Sequence, residues 1–288
     1  MLILFLVVLA SLRGSEGGTP AFGPQVAVVE IEGMILDVED VVRDLRRHRD
    51  NPLVRAVVIR INSPGGVVGP TQEVYDAIRR VREAGKPVVA SLGAVAASGG
   101  YYIACAADRI VAHPTTMTGS IGVIMLNFNV EGLLGKIGVR NETFKAGEHK
   151  DLLSPLRGAT PEERRIVQSI LDSLHARFVS VVRESRPKLD AARITELTDG
   201  RIFDASQALA AGLVDAIGSL RDAVAIAQKA AGLEKARVIM YRRSDERREN
   251  LYSSAGGPAQ VNMLAVDLAA VAGDGPRFMY LWAPGLLR

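Results

Sequence analysis

Two rhythms of apolar residues alternate along most of this chain. Short runs rich in valine and isoleucine, at 26–31, 54–61, 88–92 and 109–112, have the length and composition of buried strands. Between them the apolar positions recur every three or four residues. Val41, Val42 and Leu45 share a face within 38–48, and Val74, Ile78 and Val81 share one within 71–84, the spacing of amphipathic helices. Gly85 and Pro87 stop the second of these. A short apolar helix is predicted at 101–107, after the small residues of 93–100. Strand and helix alternating at this interval predict an α/β fold with a largely parallel sheet.

Downstream, 123–129 and 139–144 read as further strands. Residues 161–185 form one long helix, with Ile166, Ile170, Leu174, Phe178 and Val181 on a single face. Thr160 as N-cap, Pro161 in the first position and the acids Glu162 and Glu163 give it a well-formed start. Helices at 206–211 and 220–231 and a strand at 238–241 complete the body.

Both ends depart from this pattern. Residues 1–10 are an almost unbroken apolar run, shorter than the roughly 20 residues of a membrane-spanning helix and without the basic start of a secretory signal. Segment 1–13 reads as the remainder of an N-terminal membrane anchor or as a plain buried element. The Gly- and Ser-rich tether at 14–23 favours the anchor. A globular body follows at 24–241, then a charged hinge and apolar tail at 242–288. Within the tail, Val261, Leu264, Ala265, Leu268 and Val271 make one helical face. The greasy stretch 278–282 has to dock on the body, a second subunit or a bilayer surface.

Composition narrows the classes. The chain has 288 residues, 48% of them hydrophobic and 23% charged, which excludes a mostly disordered chain and a polytopic membrane protein. A net charge of +3 with interleaved signs points to no nucleic-acid partner. The single cysteine, Cys105, lies in the apolar run 103–107 and reads as a buried structural thiol. Four histidines without metal-ligand spacing indicate no metal site, and no cofactor is expected.

Candidate chemistry gathers at strand ends, where open α/β sheets place their ligands. Asn62-Ser63-Pro64-Gly65-Gly66 follows a strand. Its glycines are either a simple turn or a site where uncovered N–H groups hold an oxyanion. Ser98, in Ala-Ala-Ser-Gly-Gly, stands between a strand and a helix among small residues. It is either a helix cap or an exposed hydroxyl whose neighbour, the Gly99 amide, serves the same oxyanion. A serine nucleophile needs a base. Lys150 follows a glycine turn and precedes Leu152 and Leu153, a place where desolvation would lower an amine's pKa. Lys145 competes with it, and Asp151 would hold Lys150 charged if it faced it. Ser120, in Thr-Gly-Ser-Ile-Gly, either bonds its own turn or orients the amine.

On these residues the chain resembles the signal peptide peptidase A family, membrane serine proteases with a Ser–Lys dyad. The matching stretches are 62–66, 97–102, 118–122 and 147–155 running into 160–164, then 199–203 and 208–215, within 24–232. The resemblance implies the fold of Clp-type proteases and crotonases, built of repeated strand-strand-helix units. It implies Ser98 as nucleophile, Lys150 as general base, Ser120 as the group orienting the lysine, and Gly65 and Gly99 as oxyanion hole. It also implies a ring-like homo-oligomer on the cytoplasmic membrane, with a single-pass anchor and the catalytic domain facing outside, cutting signal peptides through an acyl-enzyme. The family's usual aromatic residue before the lysine is His149 here. The small and apolar residues 67–69 and 125–126 are expected to line a cleft for an extended, leucine- or alanine-bearing peptide. Two alternatives stand beside this reading: a crotonase-like acyl-CoA enzyme, which needs no Lys150, and a non-catalytic membrane scaffold.

Overall fold

Strand β2 (Val54–Ser63) explains the centre of the molecule. Ala56, Val57, Val58 and Ile59 are all fully buried, as befits a strand covered on both faces in a parallel sheet. Each such aliphatic side chain contributes about 1.5–3 kcal/mol on burial. The structure, a computed structural model, describes residues 23–240 and 278–282.

The main sheet runs in the order β10 (Arg237–Met240), β1 (Gln25–Glu32), β2, β4 (Val88–Ala97), β5 (Arg109–Ala112), β9 (Ala216–Ile217). These neighbours all pair in parallel. Strand β6 (Met117–Gly119) extends β4 in parallel and pairs antiparallel with β8 (Ile202–Asp204). Alternate side chains go to opposite faces. Ala27, Val29, Val57, Ile59 and Ile61 join the larger core with helices α1 (Glu39–Asp50), α2 (Val68–Glu83) and α3 (Gly99–Ala104). Val26, Val28, Ala56 and Val58 pack on the other side against Leu220, Ala223, Val224 and Ala227 of a helix at Leu220–Ala230. The α/β class with a largely parallel sheet is therefore the observed architecture.

Several expectations need correction. β4 runs to Ala97, past the expected end at 92 and into the small residues of 93–100, because β6 lies beside them and pairs Ala96 with Thr118 and Ala97 with Gly119. The strand read at 123–129 shrinks to β7 (Ile124–Met125). No strand forms at 139–144; Val139 and Phe144 stand exposed, and no described strand runs alongside to accept their backbone bonds. Short elements escaped the sequence reading: β3 (Gly65–Val67), α4 (Glu131–Lys136), α6 (Ala191–Leu197), β6, β8 and β9.

Helix α5 (Pro161–Ser185) begins where expected, with Thr160 and Glu163 exchanging the two bonds of a capping box. Its predicted apolar face is buried only in part. Phe178, Val181 and Val182 enter the core, whereas Ile170 is 37% exposed. In its N-terminal half Glu163 and Val167 are nonetheless buried. Cys105 is buried, and burial pushes its thiol up, as an inert structural cysteine requires.

Among the described residues no helix is long and apolar enough to cross a membrane. The anchor segment 1–13, nearly all of the linker 14–23 and the hinge and helical face within 242–277 lie outside the described residues. The greasy tail docks on the body. Strand β11 (Phe278–Leu281) pairs antiparallel with β3 and with β7 in a small second sheet.

Candidate active site

Ser98 sits at the junction of β4 and α3 with φ 53° and ψ −115°, a region L-residues avoid at a cost of about 1–3 kcal/mol. This is the sharp strand-to-helix turn that thrusts a side chain out of line with both elements. The residue is fully buried and its Oγ has no hydrogen-bond partner among the described residues. It makes no side-chain cap for α3, so the capping alternative does not hold. Two features lock the turn. The Ser98 N–H donates to the Gly119 carbonyl at 2.7 Å. One turn on, Tyr102 is held by Phe178, Tyr75 and Tyr280, with ring centroids 5.0–5.1 Å away.

Gly65 and Gly99 converge beside Ser98. Gly65 has φ +104°, and a Cβ there would lie 2.7 Å from the Gly99 nitrogen and 2.0 Å from the Tyr280 carbonyl oxygen. A side chain at Gly99 would in turn come within 3.1 Å of the Gly65 Cα. Only glycine admits this approach. The Gly99 amide belongs to the first turn of α3, where helix N–H groups lack intrahelical acceptors. The Gly65 amide donates to Ser63 Oγ at 3.1 Å, so it must leave that partner before it can bind another oxygen.

Ser120 follows Gly119 directly and also has a positive φ, 51°. Its N–H donates to the Arg201 carbonyl at 2.8 Å. Among the described residues, only Ser98, Ser120 and Leu153 combine a side chain with positive φ. All three fall in the stretches singled out from sequence, and strain of this kind gathers at functional sites.

Lys150 makes no hydrogen bond to the Ser98 Oγ. It is exposed, and its ammonium makes no ion pair or side-chain hydrogen bond among the described residues. The expected desolvation is therefore absent in the single protomer. Lys150 lies in an arm at 126–160 whose apolar residues Phe128, Leu133, Ile137, Val139 and Phe144 are all exposed. Asp151, the carboxylate that threatened to hold the lysine charged, is bound elsewhere. Lys145 reaches Asp151 Oδ1 at 2.6 Å, and Arg157 reaches Oδ2 at 2.7 Å. Lys145 is thus an ion-pair partner and not a free rival base.

The fold also juxtaposes Glu148, His149 and Glu162, with one donor atom of each within 4.8 Å of the others. Histidine spacing did not reveal this group, because Glu162 comes from α5. Tyr280 and Arg157 were missed as well. Their only sequence signals were an apolar tail and an arginine shortly after the lysine loop. The expected peptide cleft is occupied: Val67 and Met125 flank β11, which pairs with both.

Comparison with known proteins bears on this site. Residues 80–234 match the model of Peptidase family S49, and 38–118 match that of Clp protease. The chain is 39% identical over 198 residues to a protein of Enterococcus faecium provisionally named signal peptide peptidase SppA, covering 69% of this chain and 57% of that protein. It is 36% identical over 227 residues to Protease 4 of Salmonella typhi, covering 75% of this chain and 36% of that one. It thus spans little more than half of the first relative and about a third of the second. Among solved structures, a mutant of the 1510-N membrane-bound stomatin-specific protease has a TM-score of 0.50 and 16% identity, covering 77% of this chain and 100% of its own. That likeness concerns the fold alone.

Proposed function

This chain belongs to peptidase family S49, and we propose that it is a serine-type peptidase that cuts hydrophobic peptides with Ser98 as nucleophile and Lys150 as general base. The carrying observation is the Ser98 hydroxyl itself: buried, unpartnered, on a strained turn and flanked by two glycines whose backbones nearly touch. A buried hydroxyl left unpaired is costly and calls for a partner that arrives with the working state.

In the proposed reaction a neutral Lys150 amine takes the Ser98 proton as Oγ attacks the scissile carbonyl. The Gly99 amide, with that of Gly65 released from Ser63, receives the developing oxyanion. Lysine then protonates the leaving amine, and an acyl-enzyme remains on Ser98. Water, deprotonated by the same amine, releases it. Ser120 accepts a hydrogen bond from the amine and aims its lone pair. A substrate strand adds to the edges of β3 and β7 that β11 now fills, so binding displaces β11.

Closure of the dyad requires the arm to move or to be covered. The exposed apolar residues Phe128, Leu133, Ile137 and Phe144 support coverage by a further copy in a homo-oligomeric ring, which would desolvate Lys150. With the apolar N-terminal run as anchor, the substrates are signal peptides left in the cytoplasmic membrane, and the catalytic domain faces outside.

The test is cleavage of a leucine-rich peptide by wild type, Ser98→Ala and Lys150→Ala, followed against pH. Both variants are expected to fold and to lose cleavage, while wild-type activity rises with pH as the base loses its proton. Full activity in either variant overturns the dyad.

A further inference from the structure

Using Lys150 as a neutral base creates a difficulty at the next residue. A carboxylate within about 4–6 Å of an amine keeps it protonated, and Asp151 adjoins Lys150 in the chain. Arg157 removes that difficulty. Its Nε donates to Asp151 Oδ2 at 2.7 Å and its Nη2 to Oδ1 at 2.8 Å. The same guanidinium donates from Nη1 to Glu163 Oε2 at 2.8 Å and from Nη2 to Oε1 at 2.5 Å. Glu163 is buried at the start of α5, where its Oε2 also accepts the Thr160 N–H at 2.9 Å. Among the described residues, no other side chain binds both carboxylates.

We propose that Arg157 is a positioning residue of this peptidase: by bridging Asp151 to Glu163 it fastens the lysine loop to the N-terminus of α5 and withholds the Asp151 carboxylate from the Lys150 amine. The inference rests on Lys150 acting as the base. Arginine suits the task because its planar fork offers two edges, one for each carboxylate, where a lysine's point charge would serve them poorly. The hydrogen bonds from Arg157, and then from Lys145, hold the Asp151 carboxyl well below the usual carboxylate range. It is therefore an anion at every working pH, and its choice of partner decides the field around the loop. The other charged or titratable groups here are Lys145, whose Nζ also binds the Glu148 carbonyl at 2.7 Å, with Glu148, His149 and, from α5, Glu162, and Glu131 of α4, whose Oε2 accepts the Gly158 N–H at 2.8 Å.

The test is the acid limb of kcat/KM for a leucine-rich peptide, which reports the base in the free enzyme. Arg157→Met is made together with Glu163→Gln, so that no unpaired carboxylate stays buried and the capping box survives. In this double variant the limb should move up by about one pH unit, with the alkaline plateau largely kept. Adding Asp151→Asn should return the limb to its original position. Asp151→Asn alone should leave it in place, and this single variant decides the matter if the double variant does not fold.

A limb that stays put in the double variant while the rate falls equally at every pH would reduce Arg157 to a structural brace and overturn the inference. So would a limb that drops by a full unit in Asp151→Asn alone, since Asp151 would then already act on the amine. Failure of the dyad itself shows separately, as retained cleavage in Lys150→Ala.

Discussion

The Ser98 N–H and the Gly119 carbonyl are joined at 2.7 Å. That bond closes the ladder between β4 and β6 one step beyond the pair Ala97 and Gly119. It leaves Ser98 and Ser120 side by side at two adjacent strand ends, each forced to positive φ. Gly119, itself at φ +86°, has room for no side chain: a Cβ would meet Phe203 Cδ2 at 2.6 Å and the Arg201 carbonyl oxygen at 3.0 Å. Gly119→Ala should therefore cost about 1–3 kcal/mol by overpacking. It should also lower peptide cleavage more than tenfold by moving Ser98, read as a fall in kcat at unchanged secondary structure.

Ser98→Ala should be at least as stable as wild type. The substitution removes a buried hydroxyl with no partner, worth about 1 kcal/mol. A urea midpoint shifted upward at constant m-value is the expected result, alongside loss of cleavage. A destabilised variant would mean that the hydroxyl has a structural partner.

Tyr280 ties the C-terminal strand to the nucleophile's helix. Its ring stacks on Tyr102 at 5.1 Å and lies 4.8 Å from Phe178, and its hydroxyl donates to the Leu174 carbonyl at 3.0 Å. Burial pushes this phenol up to about 12, so it stays a neutral donor. Tyr280→Ala should cost about 3–5 kcal/mol. Tyr280→Phe, which keeps the ring and loses one bond, should cost about 1 kcal/mol. Urea denaturation distinguishes the two.

The arm carries a test of association. Phe144 is 94% exposed and Ile137 65%, an arrangement that covering by a second copy would relieve. Phe144→Asp combined with Ile137→Asp should shift sedimentation toward the monomer and abolish cleavage together. A variant that sediments as a monomer and still cleaves would separate the arm from the catalytic state.

The anchorage of the lysine loop should be acid-labile. Arg157 holds the Glu163 carboxyl down to about 2 and keeps that of Asp151 well below its usual range. Their unfolded counterparts titrate near about 4.3 and 3.9. Depressed values mean that the stabilisation is complete above the unfolded pKa and is lost as pH falls through the folded one. Amides of 147–155 should accordingly lose hydrogen-exchange protection, corrected for intrinsic rate, as the pH drops from about 4 towards 2. Protection that persists at the lower limit would show that other contacts hold the loop.

Legibility followed the range of the forces involved. Helix α5 starts at the predicted residue because its capping box is a contact between Thr160 and Glu163, three positions apart. β1 and β2 were readable because a run rich in valine and isoleucine is buried whichever strand lies beside it. The run at 139–144, with only Val139 and Phe144 apolar at its two ends, formed no strand, since so polar a segment needs a neighbouring strand that local sequence does not specify. The segment 93–97 departs the other way: its small residues carry no strand signal beyond 92, and lying next to β6 makes them strand.

The candidate site divides along the same line. The amino-acid order alone marked Ser98, Gly65, Gly99, Ser120 and Lys150, because a nucleophile on a tight turn needs small neighbours and a base must come from a short list of side chains. Only the folded chain decided that Ser98 lies buried without a partner, that Lys150 stays in solvent, and that Arg157 and Tyr280 brace the elements around them. Those outcomes depend on which distant segments meet. Tyr280 and Tyr102 lie far apart in the chain, and residue order carries little trace of a contact until packing has chosen the partner.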